Sequence, residues 1–325
     1  MWDDLIELIE THHRFLLTTH INPDGDAIGS LVALGGFLEE QGKTTLKVIE
    51  HPVPPDCAFL DPEGLVRQYE PERDDPDIAA CDMAVVLDVG ALDRVGRLQH
   101  SLRRHAVPIA CIDHHVTNNG FADANVIDAH AASTASLILD LIRATGHEPS
   151  PPVAQALFVG LATDTGWFRF PNTTAAAFGH AAALVEAGAD VPGLYRRIHE
   201  NHSAARMRLL GLALADLRTD CGGRLVWTTL TGAHFERTGA APAETEGVID
   251  TVRKVGGAEI IVLFRERPDG GTRVSLRSKD DLDVSALAAR FGGGGHRQAA
   301  GIALDDPPAT AIPAILAAAR ALLQP

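Results

Sequence analysis

The chain has 325 residues, 46% hydrophobic and 22% charged, a balance that excludes a disordered protein. That length can hold two domains of ordinary size, each with its own core. A formal net charge of −15 speaks against coating duplex DNA through an overall positive field, although metal ions can still bring a small phosphorylated ligand to an acidic protein.

Residues 3–12 read as a helix, with Leu5, Ile6, Leu8 and Ile9 on its apolar face. Arg14 to Thr19 reads as a buried strand running into the stretch His20 to Ser30. There Pro23 and Gly25 mark a tight turn, and a helix starts near Asp26 and runs to about Gln41, with Gly42 as its C-cap. Thr44 to Glu50 is a second strand, followed by a proline-rich loop at Pro52, Pro54 and Pro55. Met83 to Asp88 is a third strand, ending in a carboxylate, and residues 97–105 suit a basic helix. The apolar run Val107 to Ile112 is a further short strand, ending abruptly in Asp113, His114 and His115.

Ala132 to Thr145 is helical, with Ser133 and Thr134 placed to cap its start. Pro151 and Pro152 open a helix that delivers Thr163, Asp164, Thr165 and Gly166, and helices at 173–187 and 191–200 follow. A long helix at 203–218, with Ser203 as N-cap, ends at the glycines before Arg224. Strands at 224–231, 258–266 and 272–278 come next, then a helix at 283–291, the run Gly292 to His296, a strand near 302–304 and an Ala-rich helix from about 308.

Strands alternating with helices predict an α/β fold: an N-terminal, mostly parallel sheet flanked by helices, linked by a helix to a smaller C-terminal α/β domain with a mixed sheet. The expected division is a catalytic domain at 1–202, a linker helix at 203–219 and a substrate-binding domain at 220–325. No apolar run approaches the ~20 residues of a membrane span. The acidic, amphipathic start lacks the basic region of a secretory signal, so a cytoplasmic protein without membrane contact is expected. Cys57, Cys81, Cys111 and Cys221 form no Cys-x-x-Cys pair and read as reduced thiols. Arg253 to Arg297 holds nine Lys/Arg against six Asp/Glu, the one region that would welcome a polyanion.

Four strand or helix ends thus present His20, Asp24 and Asp26; Asp88; His114 and His115; and Asp164. In open α/β sheets ligands gather at the carboxyl ends of strands. Singly, each residue could be a helix cap or a solvated loop side chain. Jointly they supply what two divalent cations need to activate water for attack on phosphorus, with imidazoles shifting preference from Mg²⁺ toward Mn²⁺, Co²⁺ or Zn²⁺.

These four segments, with Arg94 beside Asp88, resemble the four motifs of the DHH phosphoesterase superfamily. Gly292 to His296 resembles the glycine-rich motif of its DHH-associated C-terminal domain. Order, spacing and length are most similar to the bifunctional oligoribonuclease (nanoRNase)/pAp phosphatase branch. The resemblance implies one metal on His20, Asp24 and Asp88 and another on Asp26, Asp88, His114 and Asp164, with Asp88 bridging. The ions would be Mn²⁺ first, with Co²⁺ or Mg²⁺ as alternatives. It implies that His115 faces the substrate phosphate while Asp113 orients imidazoles or the nucleophilic water.

Arg94, Ser133 and Thr134 are candidate phosphate contacts. Arg277, Ser278, Gly293, Gly294, Gly295, His296 and Arg297 are candidates for a ligand's terminal phosphate and base. A bare glycine run would otherwise be a flexible surface loop. The expected substrates are short single-stranded RNA or DNA oligonucleotides (nanoRNA, pApA) or 3′-phosphoadenosine 5′-phosphate, with duplex nucleic acid excluded and a homodimer left open. Alternatives are a cyclic-dinucleotide phosphodiesterase, a RecJ-like single-strand exonuclease, a family II inorganic pyrophosphatase or a catalytically silent nucleotide sensor.

Overall fold

A strand buried on both faces needs helices on either side, and this requirement organises the first half of the chain. The computed structural model describes residues 2–279 and 281–324. Two compact units emerge, Met1–Asn201 and His202–Pro325.

The first unit opens with α1 (Asp3–Thr11), β1 (Arg14–Thr18), α2 (Gly25–Glu40) and β2 (Thr44–Ile49). After the proline-rich loop come β3 (Val66–Gln68) and α3 (Pro71–Ala79), which the sequence pattern does not announce. β3 is three residues long, and α3 is mostly polar with Pro76 inside it. Then follow β4 (Met83–Leu87), α4 (Leu98–His105), β5 (Ile109–Asp113) and β6 (Ala124–Ile127), the last a short edge strand that was also not expected. α5 (Thr134–Ala144), α6 (Pro151–Asp164), α7 (Ala175–Glu186) and α8 (Val191–His199) complete the unit.

All six strands pair in parallel, in the order β3-β2-β1-β4-β5-β6. The order reverses between β1 and β4, and a crevice forms outside the strand ends at such a switch point. Phe15 and Leu17 of β1 face one core, built with α2, α5 and α6, while Leu16 faces a second core shared with α4. α2 and α6 approach closely at two glycines. A Cβ on Gly29 would lie 2.4 Å from the Ala156 carbonyl oxygen, and one on Gly160 would lie 2.7 Å from Asp26 Oδ1. That packing sets the end of α6 beside the start of α2.

The second unit contains α9 (Ala204–Ala215), β7 (Arg218–Asp220), β8 (Leu225–Leu230), α10 (Gly232–Thr238) and α11 (Val248–Val252). It continues with β9 (Ile260–Glu266), β10 (Thr272–Ser278), α12 (Val284–Ala289), β11 (Gly294–His296), β12 (Ala299–Leu304) and α13 (Pro308–Leu322). The sheet order is β11-β12-β10-β9-β8-β7, antiparallel except for the β8–β9 pair. The helix expected at 203–218 stops at Ala215, and its Leu209 and Ala213 join Val226 and Leu230 in a core of this unit. The four cysteines are free thiols. Among the described residues no helix is long and apolar enough to cross a membrane.

Candidate active site

Asp88 follows β4 directly and continues the ladder, its N–H donating to the Ile112 carbonyl at 3.0 Å. Its φ of +60° lies in the left-handed region, a conformation that costs a non-glycine residue roughly 1–2 kcal/mol and that tertiary structure must impose. The result aims a carboxylate, 3% exposed, into the switch-point crevice. Asp88 Oδ2 faces His20 Nε2 at 3.5 Å, while Oδ1 faces His114 Nε2 at 3.5 Å and His115 Nδ1 at 3.7 Å.

The turn after β1 supplies the next donors. His20 Nδ1 donates to the Ile21 carbonyl at 3.0 Å, which leaves the Nε2 lone pair for the crevice. Asp24 caps α2, its Oδ1 accepting from the N–H groups of Asp26 and Ala27, and lies 3.9 Å from His20 Nε2. Asp26 is buried in the first turn of α2 and accepts from the N–H groups of Thr134 at 2.7 Å and Ala135 at 2.9 Å. The start of α5 thus grips one acid of the site.

From the remaining ends, His114 Nδ1 lies 3.4 Å from the Ala131 carbonyl and turns Nε2 toward Asp164 Oδ2 at 3.6 Å. Asp164, at the end of α6, also accepts from Asn172 Nδ2 at 3.3 Å. Three consecutive left-handed residues follow it, Gly166, Trp167 and Phe168, with φ of 56°, 55° and 62°. The Thr165 hydroxyl accepts the Phe168 N–H and donates to the Leu161 carbonyl, tying this turn to the end of α6.

His115 stands apart from the other imidazoles. Its Nδ1 donates to Asp113 Oδ1 at 2.7 Å, and Asp113 Oδ2 accepts from Asn118 Nδ2 at 2.7 Å. Asn118 also reaches the Val89 carbonyl at 3.0 Å. The Asp113 hydrogen bond raises the His115 pKa to about 9 despite partial burial.

The carboxylates sit together at an electrostatic cost. Burial, then the charges of Asp88, Asp164 and Asp24, push Asp26 well above the usual carboxylate range. Burial pushes Asp164 up to about 6, opposed by His114 and reinforced by Asp88 and Asp24. Burial also opposes ionisation of Asp88, but a His20 protonated at Nε2 as well, which donates to it, and the charges of His114 and His20 hold it low. Clustered acids with outward imidazole lone pairs are the donor set a divalent cation satisfies. Among the described residues, three groups place their donor atoms within 4.8 Å of one another: His20, Asp24 and Asp88; Asp26, His114 and Asp164; Asp88, His114 and His115.

The expected phosphate contacts divide. Ser133 is fully buried and its hydroxyl accepts the Ser136 N–H as an N-cap. Thr134 is equally buried, and its hydroxyl donates to Asp88 Oδ1 at 3.0 Å. Thr134 thereby braces Asp88, while Ser133 holds the start of α5. Arg94 is exposed, and its carbonyl accepts the Ile21 N–H at 2.7 Å beside the His20 turn. Asn118 and Asn172 were not expected, because an isolated amide carries no periodic or motif signal.

In the second unit the glycine run is an edge strand rather than a loose loop. A Cβ on Gly293 would lie 2.3 Å from the Gly301 carbonyl oxygen, and Gly295, at φ +147°, would place one 2.4 Å from that of Ala299. The run walls a groove of about 660 Å³ together with Arg273, Ser275 and Arg277. His296 and Arg297 are exposed, with Arg297 Nη2 donating to the Asp281 carbonyl at 2.5 Å. Ser278 does not line this groove. Strand alternation turns it from the groove into the core, where it is fully buried and donates to the Leu282 carbonyl at 2.7 Å.

Comparison with known proteins gives the family. The sequence profile of the DHH family N-terminal domain matches residues 14–161, and that of the DHHA1 domain matches residues 225–324. A bifunctional oligoribonuclease and PAP phosphatase NrnA from Thermus thermophilus is 32% identical over 297 residues, spanning 89% of this chain and 83% of the relative. A protein of the same name from Bacillus subtilis is 25% identical, spanning 94% of this chain and 93% of its own. The crystal structure of an exopolyphosphatase-related protein from Bacteroides fragilis superposes with a TM-score of 0.89 at 25% identity, covering 97% of this chain and 94% of that one. A crevice of acids and imidazoles at the switch point, followed by a glycine-histidine domain, makes this chain a member of the DHH family of metal-dependent phosphoesterases.

Proposed function

We propose that this enzyme hydrolyses short single-stranded oligonucleotides and small nucleotide phosphates such as 3′-phosphoadenosine 5′-phosphate, in the cytoplasm. The observation that carries the reading is Asp88, whose two oxygens face His20 on one side and His114 on the other. One divalent cation would be held by His20, Asp24 and Asp88, and a second by Asp26, Asp88, His114 and Asp164. Mn²⁺ suits this mixture of carboxylates and imidazoles, with Co²⁺ and Mg²⁺ as alternatives. Bound cations supply Lewis acidity, acidifying water and neutralising charge on phosphoryl oxygens.

The chain's own residues supply the remainder. His115, held protonated by Asp113, which Asn118 in turn orients, donates to the phosphate or the leaving oxygen as charge develops. Arg94, whose backbone carbonyl braces the His20 turn, is a further candidate phosphate contact. In the second unit, Arg277, Gly293, Gly294, Gly295, His296 and Arg297 select for a nucleotide end. The relatives named as oligoribonuclease and PAP phosphatase support this substrate class, and the net charge of −15 supports the exclusion of duplex nucleic acid.

The test is a product-resolved assay of pApA, pAp, a cyclic dinucleotide, pyrophosphate and a longer single strand, with Mn²⁺, Mg²⁺ and Co²⁺ in turn. Hydrolysis of pApA or pAp is expected, and Asp88→Ala should abolish it while leaving the circular dichroism spectrum intact. Activity retained in that variant, or turnover of pyrophosphate alone, would refute the reading.

A further inference from the structure

The sheet of the second unit is covered unevenly. On one face Val274, Leu276, Ala300 and Ile302 pack with α12 and α13. On the other face α9 and α11 cover β8 and β9, burying Val226, Ile261 and Leu263. The unit's own helices leave β10, β12 and β11 bare there. Alternation along β10 turns Arg273, Ser275 and Arg277 to that bare face, and Ala303, Gly301 and Ala299 of β12 lie opposite them in register. A row of two guanidiniums and a hydroxyl therefore borders a floor almost without side chains.

At one end of this row the ladder sets Arg273 directly opposite Arg265 of β9. Like charges facing each other across a ladder are destabilising, and proteins usually answer them with an acid. No acid answers this pair among the described residues. Arg265 donates to the Pro242 carbonyl at 2.8 Å and to Thr245 Oγ1 at 3.3 Å, both uncharged. The Arg273 side chain is exposed and makes no ion pair or hydrogen bond among the described residues, whereas Arg277 has Asp250 at 3.5 Å. A second hollow of about 340 Å³ opens here, bounded by Thr245, Glu246, Asp250, Arg265 and Arg273; Asp250 pairs with Arg277, no ion pair joins either acid to Arg265 or Arg273 among the described residues, and the hollow meets the glycine groove along β10.

We propose that Arg273 and Arg265 form a second phosphate subsite, which holds a backbone phosphate of an oligonucleotide whose end occupies the glycine-histidine groove. An anion between the two guanidiniums removes the repulsion that the fold otherwise carries. Arg273 and Arg277 are four residues apart on one strand, about 13 Å. A stacked single strand rises about 3.4 Å per nucleotide, so about four nucleotides cover that distance. The subsite therefore makes binding strengthen from a dinucleotide to a pentanucleotide, and it rests on the oligonucleotide reading given above.

The experiment is isothermal titration calorimetry of the full chain in EDTA, where cleavage is excluded, with 5′-phosphorylated di- and penta-adenylate. Wild type should bind the pentamer more tightly. Arg273→Gln should weaken pentamer binding about tenfold and the dimer far less, the loss of one charge-assisted contact. It should also flatten the dependence of log Kd on log salt by about 0.7, one phosphate's share for a single strand. Arg273→Lys, which keeps the charge, should retain the salt slope. A melt of Arg273→Gln at or above the wild-type Tm will show that the fold is kept, since the variant relieves a like-charge pair. A pentamer-to-dimer ratio within twofold of wild type in Arg273→Gln, or equal affinity of wild type for both lengths, overturns the subsite. Length-dependent binding without hydrolysis of either ligand in Mn²⁺ keeps the subsite and overturns the catalytic reading instead.

Discussion

The Thr134 hydroxyl donates a 3.0 Å hydrogen bond to Asp88 Oδ1, while the backbone N–H of the same residue donates at 2.7 Å to Asp26 Oδ2. One residue at the start of α5 therefore orients two of the acids proposed to hold cations. Partners of this kind set the direction and basicity of a metal ligand, and their loss typically lowers metal affinity by about 10- to 100-fold. Thr134→Val, which conserves shape but not the hydroxyl, should weaken Mn²⁺ binding by roughly that factor, and Thr134→Ser should restore most of it. Metal titration by calorimetry decides the matter. Equal affinity in Thr134→Val and wild type would reduce Thr134 to a packing role.

His115 offers a pH test. Its hydrogen bond to Asp113 raises the folded-state pKa to about 9, above the ordinary value near 6.5. A raised histidine stabilises the fold fully below its unfolded pKa, and that contribution fades as pH rises through about 9. Asp113→Asn removes the charged acceptor, so the His115 titration should fall toward the ordinary value and the stability difference from wild type should shrink above pH 9. An NMR titration of the metal-free protein, with His115→Gln to assign the resonance, reads this directly. An unmoved His115 titration in Asp113→Asn would contradict it.

Neighbours on β10 should separate stability from binding. Ser278 is fully buried and bonded to the Leu282 carbonyl, whereas Arg277 faces the groove. Ser278→Ala should cost about 1 kcal/mol of stability, the net worth of a buried hydrogen bond, with no change in KM. Arg277→Gln should raise KM for a dinucleotide and leave the urea midpoint near that of wild type. A Ser278→Ala variant with wild-type stability and raised KM would reverse this assignment.

Long apolar runs were legible without coordinates. β1, β4 and β5 are buried on both faces, so their sequences are nearly continuous Val, Ile, Leu, Ala and Phe, and each ends visibly in an acid or a histidine. α3 was not legible. Its nine residues carry two prolines and four acids, and it is steadied by the buried Asp74, which accepts from the Glu70 N–H and from Arg73. β3 and β6 are three and four residues long, and pairing with β2 and β5, not their own pattern, makes them strands.

The sequence by itself determined the residue types of the site and their places at strand and helix ends, because burial imposes period and composition locally. Tertiary structure alone decided which of those side chains meet. It forced Asp88 into the left-handed region, drew Thr134 onto Asp88 and Asp26 from far along the chain, and set Arg273 against Arg265. Each of these depends on contacts between residues distant in sequence or on strand register, and a local pattern carries no information about either.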